Sequence, residues 1–377
     1  MVINSIILAT GSYTSGKIIS TEDLVRDTIF YDKKGNIEKI DLEKIKTTIG
    51  VEYRMWANDD EQVEDLGAIA LNNCFESSKV KKDEIDYLIV AHNTGELIPN
   101  ISSRIVYKLS LNKVIPEDKI FGCQGWCYGL DHADLLIKSK RAKKVAVIGA
   151  EILSRIRGKS SDSLLFSDGA GAVILGDYED NENIGILASH LGADITLNDV
   201  LKLSKRFRPE EIVYGLDDKY LKDLDMYGKG VFKKAIIVIP ETFNKLLEKA
   251  NLKEENVKYL LKHQASEKIL EVSSKIELTK KGEIKNLDEL IKQYRRDKVP
   301  NSVKWLGNSS VATIPTLLDI LLKKKVDNHD LDGLLQDLCH YNIKENDILA
   351  FLSVGAGVGW AGNLVKMHPS YWDYLKD

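Results

Sequence analysis

The chain has 377 residues, 44% of them hydrophobic and 29% charged, with a formal net charge of −4. This excludes a disordered chain and leaves room for two core-sized units. No run reaches the roughly 18 uninterrupted apolar residues of a membrane-spanning helix, and nucleic-acid binding is not expected because it needs a concentrated basic surface.

The N-terminal run Ile3–Ala9 reads as a first strand and not as a signal peptide, so a cytoplasmic location is expected. Thr21-Glu22-Asp23-Leu24 looks like a capped helix start, and Asp32–Asn36 is a turn in a polar insertion. From Glu61 to Ser77 the apolar positions Val63, Leu66, Ile69, Ala70 and Cys74 keep a helical period, and Ile85–Ala91 then reads as a buried strand. Val145–Ala150 and Ala172–Leu175 are two more buried strands. Strands alternating with helices predict a layered α/β architecture.

Between the second and third of these strands lies Ile120–Leu130, where an apolar run ends in Gly122, Cys123 stands at the turn, and a helix with Leu130, Ala133, Leu136 and Ile137 on one face begins. A thiol at a strand-to-helix junction lies near the positive end of the helix dipole, which favours the thiolate and makes a nucleophile. The plainer reading of Cys123 is a small buried hydrophobe. Cys74, Cys127 and Cys339 are the other cysteines, and no paired Cys or His spacing suggests a metal site.

The chain also resembles itself. Val80–Ile89 aligns without a gap on Leu252–Leu261, each after an amphipathic helix, the second of which runs from about Pro240 to Ala250. The same register sets Ala91 opposite His263. Phe121-Gly122-Cys123, with its following helix and strand, matches Leu306-Gly307-Asn308, a helix through Ile314, Leu317, Leu318 and Leu321, and the strand Ile348–Leu352. Cys123 thus corresponds to Asn308, and the polar stretch from Lys280 to Asn301 holds the extra length of the second copy as a surface insertion. Equivalent loops of a duplicated unit can meet across a pseudo-twofold axis, at the carboxyl ends of strands where ligands bind.

Such a meeting would bring Cys123, His263 and Asn308 into one pocket. A thiolate, an imidazole and an amide support acyl transfer: the sulfur attacks an acyl thioester, and the other two donate hydrogen bonds to the enolate of a second thioester as it loses carbon dioxide. Taken singly, His263 is a strand-end histidine and Asn308 a turn or cap residue. Gly355-Ala356-Gly357-Val358-Gly359 reads either as a tight turn or as a backbone approach whose N–H groups, around Gly355 and Gly357, form an oxyanion hole.

Gly122-Cys123, Ser167–Ala172, His263-Gln264-Ala265, Gly307–Ser310 and Ser353–Gly357, in this order, together with Gly50-Val51-Glu52-Tyr53-Arg54, resemble the β-ketoacyl-ACP synthase III group of the thiolase superfamily. The resemblance implies an α/β, thiolase-like five-layered αβαβα fold from two related halves, residues 1–178 and 179–377, and a homodimer. It implies a Cys-His-Asn triad on Cys123, His263 and Asn308, no tightly bound cofactor, and acyl-CoA or acyl-ACP as substrates. The run Leu42–Thr47 has no aromatic residue where fatty-acid initiators commonly carry a tryptophan for the CoA adenine; the carrier, free CoA or acyl carrier protein, stays open. The motifs also resemble dialkylresorcinol-type condensing enzymes, which cyclise after condensation. Decarboxylating condensation is thus the expected activity, with acyl transfer to an oxygen or nitrogen acceptor and a non-catalytic dimer as the alternatives.

Overall fold

The computed structural model describes residues 2–32, 36–156, 161–194, 201–203, 224–226, 228–279, 286–356 and 359–376. Strands β1 (Val2–Tyr13), β2 (Tyr87–Ala91), β3 (Ile115–Lys119), β4 (Lys144–Ile152) and β5 (Asp168–Asp180) form one sheet in the order β1-β5-β4-β2-β3. Strands β6 (Gly185–Ala193), β7 (Val257–Lys262), β8 (Ile348–Val354) and β9 (Gly359–Lys366) form a second in the order β6-β9-β8-β7. In the first, β2 runs parallel to β4 and β3 while β5 is antiparallel to both of its neighbours. In the second, β7 runs parallel to β8, and β9 is antiparallel to β8 and β6. The second sheet therefore repeats the order and the strand directions of the first, without a counterpart of β3 among the described residues. The duplication read in the sequence is a duplication of topology.

Side chains alternate across a strand, and here both faces of each sheet are covered. Val145 and Val147 of β4 face one core while Ala146 and Ile148 face another. Likewise Leu261, Leu349 and Phe351 face inward, and Leu260, Ala350 and Leu352 face outward. This is why these strands read as continuous apolar runs.

Helices α1 (Val63–Ser77) and α2 (Ile101–Leu109) cover the outer face of the first sheet through Leu66, Leu71, Ile101 and Ile105. Helices α4 (Gly228–Ala250), α5 (Glu267–Thr279) and α6 (Leu287–Lys298) cover the outer face of the second through Val238, Phe243, Ile269 and Tyr294. Between the sheets lie α3 (Gly125–Lys138) and α7 (Thr313–Lys323), packed in one core with residues of both. Every residue from Thr313 to Leu321 is buried, as a helix enclosed on all sides requires. The layers are α, β, α, β, α.

Two expectations need correction. Helix α4 begins at Gly228, so Pro240 lies inside it and does not start it. Burial of Val238, Ile239 and Phe243 around the proline outweighs one lost backbone hydrogen bond. The stretch from Lys280 to Asn301 is not merely surface: residues 280–285 lie outside the described residues, but α6 buries Ile291 and Tyr294 against the outer core.

The boundary expected at 178/179 falls within β5, two residues before its end. The C-terminal segment crosses back over it, with Tyr371 Oη 2.9 Å from Thr10 Oγ1 and Lys376 Nζ donating to the Phe75 carbonyl.

Alternation also sorts the last residues of β7. Lys262, fully buried, points outward to α5, where its ammonium meets Glu277 at 2.8 Å and the hydroxyls of Ser274 and Ser273 at 3.0 and 3.1 Å. Burial pushes the lysine down and the glutamate up, and their attraction counters both shifts. Removing one partner of such a pair leaves an uncompensated buried charge. Lys262→Met is expected to lower unfolding free energy by about 3–5 kcal/mol, and Lys262→Met with Glu277→Leu to recover most of that loss; urea unfolding of the three proteins checks it.

Candidate active site

Two glycines set the geometry. Gly122 and Gly307 have φ of +65° and +57°, the left-handed region that glycine enters without a Cβ penalty. Each precedes a residue of interest, Cys123 or Asn308, and each leads through a short 3₁₀ turn, Gly122–Gln124 or Ser310–Ala312, into a central helix. The repeat thus delivers one side chain from each half to the same place. His263 follows β7, its N–H donating to the Leu352 carbonyl at 2.7 Å.

Cys123, His263, Asn308 and Gly355 line one cavity of about 630 Å³ whose walls are almost entirely apolar, with Phe166, Phe232 and Ile269 among them. All three side chains expected to act together are brought together.

The dry setting governs their charges. His263 is 2% exposed, and burial pushes its imidazole down to about 3, so the ring is neutral at physiological pH. Nδ1 lies 2.7 Å from Thr313 Oγ1, which leaves Nε2 to act. The Thr313 hydroxyl also reaches the Ser310 carbonyl at 3.0 Å. It has one proton for two acceptors, and when it donates to Nδ1 the ring proton sits on Nε2. Asn308 accepts the Ser310 N–H on Oδ1 at 2.8 Å, and Nδ2 lies 3.4 Å from the Ala265 carbonyl. This fixes the amide with donor hydrogens on Nδ2.

Cys123 is partly open to the cavity but deeply enclosed. Burial pushes its thiol up to about 11, against hydrogen bonds from Ser310 and from the backbone N–H groups of Cys123 and Ala356. This corrects the expectation of a resting thiolate: desolvation outweighs the groups that favour the anion. Cys127 is fully buried and carries no comparable contacts.

The Gly355-Ala356 turn packs directly on the backbone of Cys123. A Cβ on Gly355 would stand 2.4 Å from the Cys123 nitrogen, and one on Gly122 would stand 2.8 Å from the Ala356 nitrogen. The turn was expected to supply N–H groups around Gly355 and Gly357. The Gly355 N–H instead donates to Gly359 at 3.0 Å, so this glycine provides close approach and Ala356 provides the donor. Gly357 lies outside the described residues.

A sequence model of the family described as 3-oxoacyl-[acyl-carrier-protein (ACP)] synthase III matches residues 118–195, the span that holds Cys123. The β-ketoacyl-[acyl-carrier-protein] synthase III of Staphylococcus aureus (strain Newman) is 29% identical over 327 residues, 86% of this chain and 90% of the relative. The chain is thus similar to the β-ketoacyl-ACP synthase III family of thiolase-like condensing enzymes. Among solved structures, the synthase III of Thermus thermophilus superposes with a TM-score of 0.75 at 26% identity, covering 96% of this chain and 98% of the other. The priming β-ketosynthase of the R1128 polyketide pathway has the same fold, with a TM-score of 0.78 at 23% identity, covering 97% and 96%.

The sequence reading missed the residues behind the site. Glu151 is fully buried and accepts hydrogen bonds from Asn93 and Thr94, while Asn93 Oδ1 accepts the Gly122 N–H at 2.9 Å. A glutamate directly after the apolar run Val145–Ala150 was the available signal, because an acid at the end of a buried strand needs dedicated partners. Among the described residues no group of three His, Cys, Asp or Glu side chains could hold a metal ion, and no helix is long and apolar enough to cross a membrane.

The buried imidazole also carries a stability signature. Its folded-state value is depressed, so between about pH 6.5 and 3 the unfolded chain binds a proton that the folded chain does not, and stability falls as pH falls. His263→Gln is expected to gain on the wild type by about 1.4 kcal/mol per pH unit below about 6 and by nothing above about 7.5; urea unfolding at pH 5 and 7.5 measures the difference.

Proposed function

We propose that this protein catalyses decarboxylating Claisen condensation of an acyl thioester with a malonyl-type thioester, through an acyl group held on Cys123, in fatty acid or polyketide-like biosynthesis. The observation that carries this reading is the convergence of one sulfur, one neutral imidazole and one amide in a single apolar cavity.

In the first half-reaction the Cys123 sulfur attacks the acyl carbonyl as the thiol gives up its proton. The N–H groups of Cys123 and Ala356 receive the oxyanion, and the carrier leaves as a thiol that takes the proton. In the second, the extender's thioester carbonyl accepts from His263 Nε2–H and Asn308 Nδ2–H. Carbon dioxide leaves, the enolate so formed attacks the acyl carbon on Cys123, and the sulfur departs and regains a proton from solvent. A neutral imidazole suits this task, since it donates a hydrogen bond without bringing a buried charge. The apolar walls exclude water that would protonate the enolate.

The substrates are acyl thioesters on CoA or an acyl carrier protein, and no step calls for a tightly bound cofactor. Incubation with an acyl-CoA is expected to add the acyl mass to intact protein, and Cys123→Ala to lose both the adduct and condensation. Full condensation by the alanine variant would refute the reading. Release of labelled carbon dioxide from malonyl thioester separates condensation from acyl transfer to oxygen or nitrogen, and the released product shows whether it cyclises.

We also infer a homodimer built on β3. Among the described residues this strand ends its sheet and pairs only with β2, and its neighbourhood exposes Ile98 (89%), Tyr107 (84%), Leu97, Ile115 and Ile120. An unpaired edge beside exposed apolar side chains is a template for pairing with a second copy. Light scattering is expected to give twice the chain mass for the wild type and a monomer for Tyr107→Asp with Ile115→Lys.

A further inference from the structure

One side chain joins the two turns of the site from behind. Asn93 lies just past the end of β2, and its Oδ1 accepts the Gly122 N–H at 2.9 Å. Gly122 is buried, so this N–H needs a partner within the protein, and the left-handed turn it belongs to decides where Cys123 stands. The Nδ2 of the same amide donates to Glu151 and comes within 3.5 Å of the Ser310 hydroxyl. Ser310, with a left-handed φ of +51°, opens the matching turn of the other half and donates its N–H to Asn308 Oδ1.

Glu151 gives the amide its direction. Besides Nδ2 it accepts from Asn93 N at 3.1 Å, Thr94 N at 3.1 Å and Thr94 Oγ1 at 2.7 Å. Donors alone face it in these bonds, as suits a carboxylate, which only accepts. Nδ2 is thereby held toward Glu151, and Oδ1 is left for Gly122. The loop that carries Asn93 is tied down on both sides of it: the Thr94 hydroxyl accepts the Ile152 N–H at 3.0 Å, and His92 Nε2 lies 2.9 Å from Asp118 Oδ2 on β3. A negative charge at Glu151 works against a thiolate at Cys123. What the carboxylate contributes is therefore geometry and not activation of the sulfur.

We propose that Asn93 is a positioning residue for the nucleophile: its amide, oriented by Glu151, pins the Gly122–Cys123 turn and so fixes the direction from which the sulfur meets an acyl carbonyl. The inference rests on Cys123 being the nucleophile. Acylation needs the sulfur, the carbonyl carbon and the donors to its oxygen in line, and a displacement of about 1 Å costs up to about a hundredfold in rate. Alkylation by a small reagent such as iodoacetamide needs the thiolate but no such alignment, so the two reactions separate direction from reactivity.

The test compares, by mass spectrometry of the full chain, the rate at which an acyl-CoA acylates Cys123 with the rate at which iodoacetamide alkylates it. Asn93→Ala is expected to slow acylation at least about tenfold and to leave alkylation nearly unchanged. Glu151→Gln removes the opposing charge, so alkylation is expected to rise; it also leaves a single acceptor oxygen for donors on two sides, so acylation is expected to fall. Asn93→Asp with Glu151→Gln reverses the hydrogen bond while keeping its shape and the net charge: the new carboxylate accepts from Gly122 and from the new amide. This pair is expected to recover most of the acylation rate that Asn93→Asp alone loses, and that comparison carries the test should the alanine variant fold poorly. Acylation unchanged in Asn93→Ala, acylation and alkylation falling together there, or a pair no faster than Asn93→Asp alone overturns the proposal. Any of these with an acyl adduct on the wild type removes only the role of Asn93; a wild type that takes no adduct removes the nucleophile reading first.

Discussion

The site depends on the apolar layer between the two sheets. Helices α3 and α7 are enclosed there with side chains of both sheets, so neither helix can slide without opening voids in a core packed to crystal-like density. Cys123 lies one short turn before α3 and Asn308 one short turn before α7. Rigidity of that shared core is therefore rigidity of the distance between sulfur and amide. His263 joins them from the end of β7, whose neighbours Leu260 and Leu261 are locked in the cores on either side of the second sheet.

Burial has two opposed effects on the chemistry. It holds the imidazole neutral and the thiol protonated, which sets the site's resting state. It also strengthens each fixed dipole directed at a developing charge, because little solvent competes. The backbone N–H groups of Cys123 and Ala356 work against burial's upward push on the thiol, and as fixed dipoles they need little reorganisation when charge develops there. The same low polarity explains the outward-facing pair Lys262 and Glu277 one residue before His263: a charge there is tolerated only when matched at once.

Much of this was legible in the sequence because it repeats. The match of Val80–Ile89 to Leu252–Leu261 anticipated the matching strand orders, and the two Gly-x junctions anticipated the paired turns at Cys123 and Asn308. What escaped was of another kind. Ser310 and Thr313 were visible as residues, but their roles depend on a left-handed turn that no periodicity reveals in a non-glycine residue. Asn93 and Glu151 are 58 positions apart and meet only because β2 and β4 are adjacent. The resting charge of Cys123 was misjudged because local sequence shows the nearby helix start and hides the enclosure. Pro240 and the segment at α6 were misread for a related reason: tertiary burial overrode a local breaker and a polar composition.

The left-handed glycine before each key side chain has a consequence for how such a protein diversifies. The turn is a backbone device, set by Gly122 in one half and Gly307 in the other, and the chemistry of the next residue plays no part in forming it. After an ancestral duplication the two mounts could keep their shape while their cargo diverged, sulfur in one and amide in the other. New reactivity at this centre needs no new fold, only a different residue after the glycine.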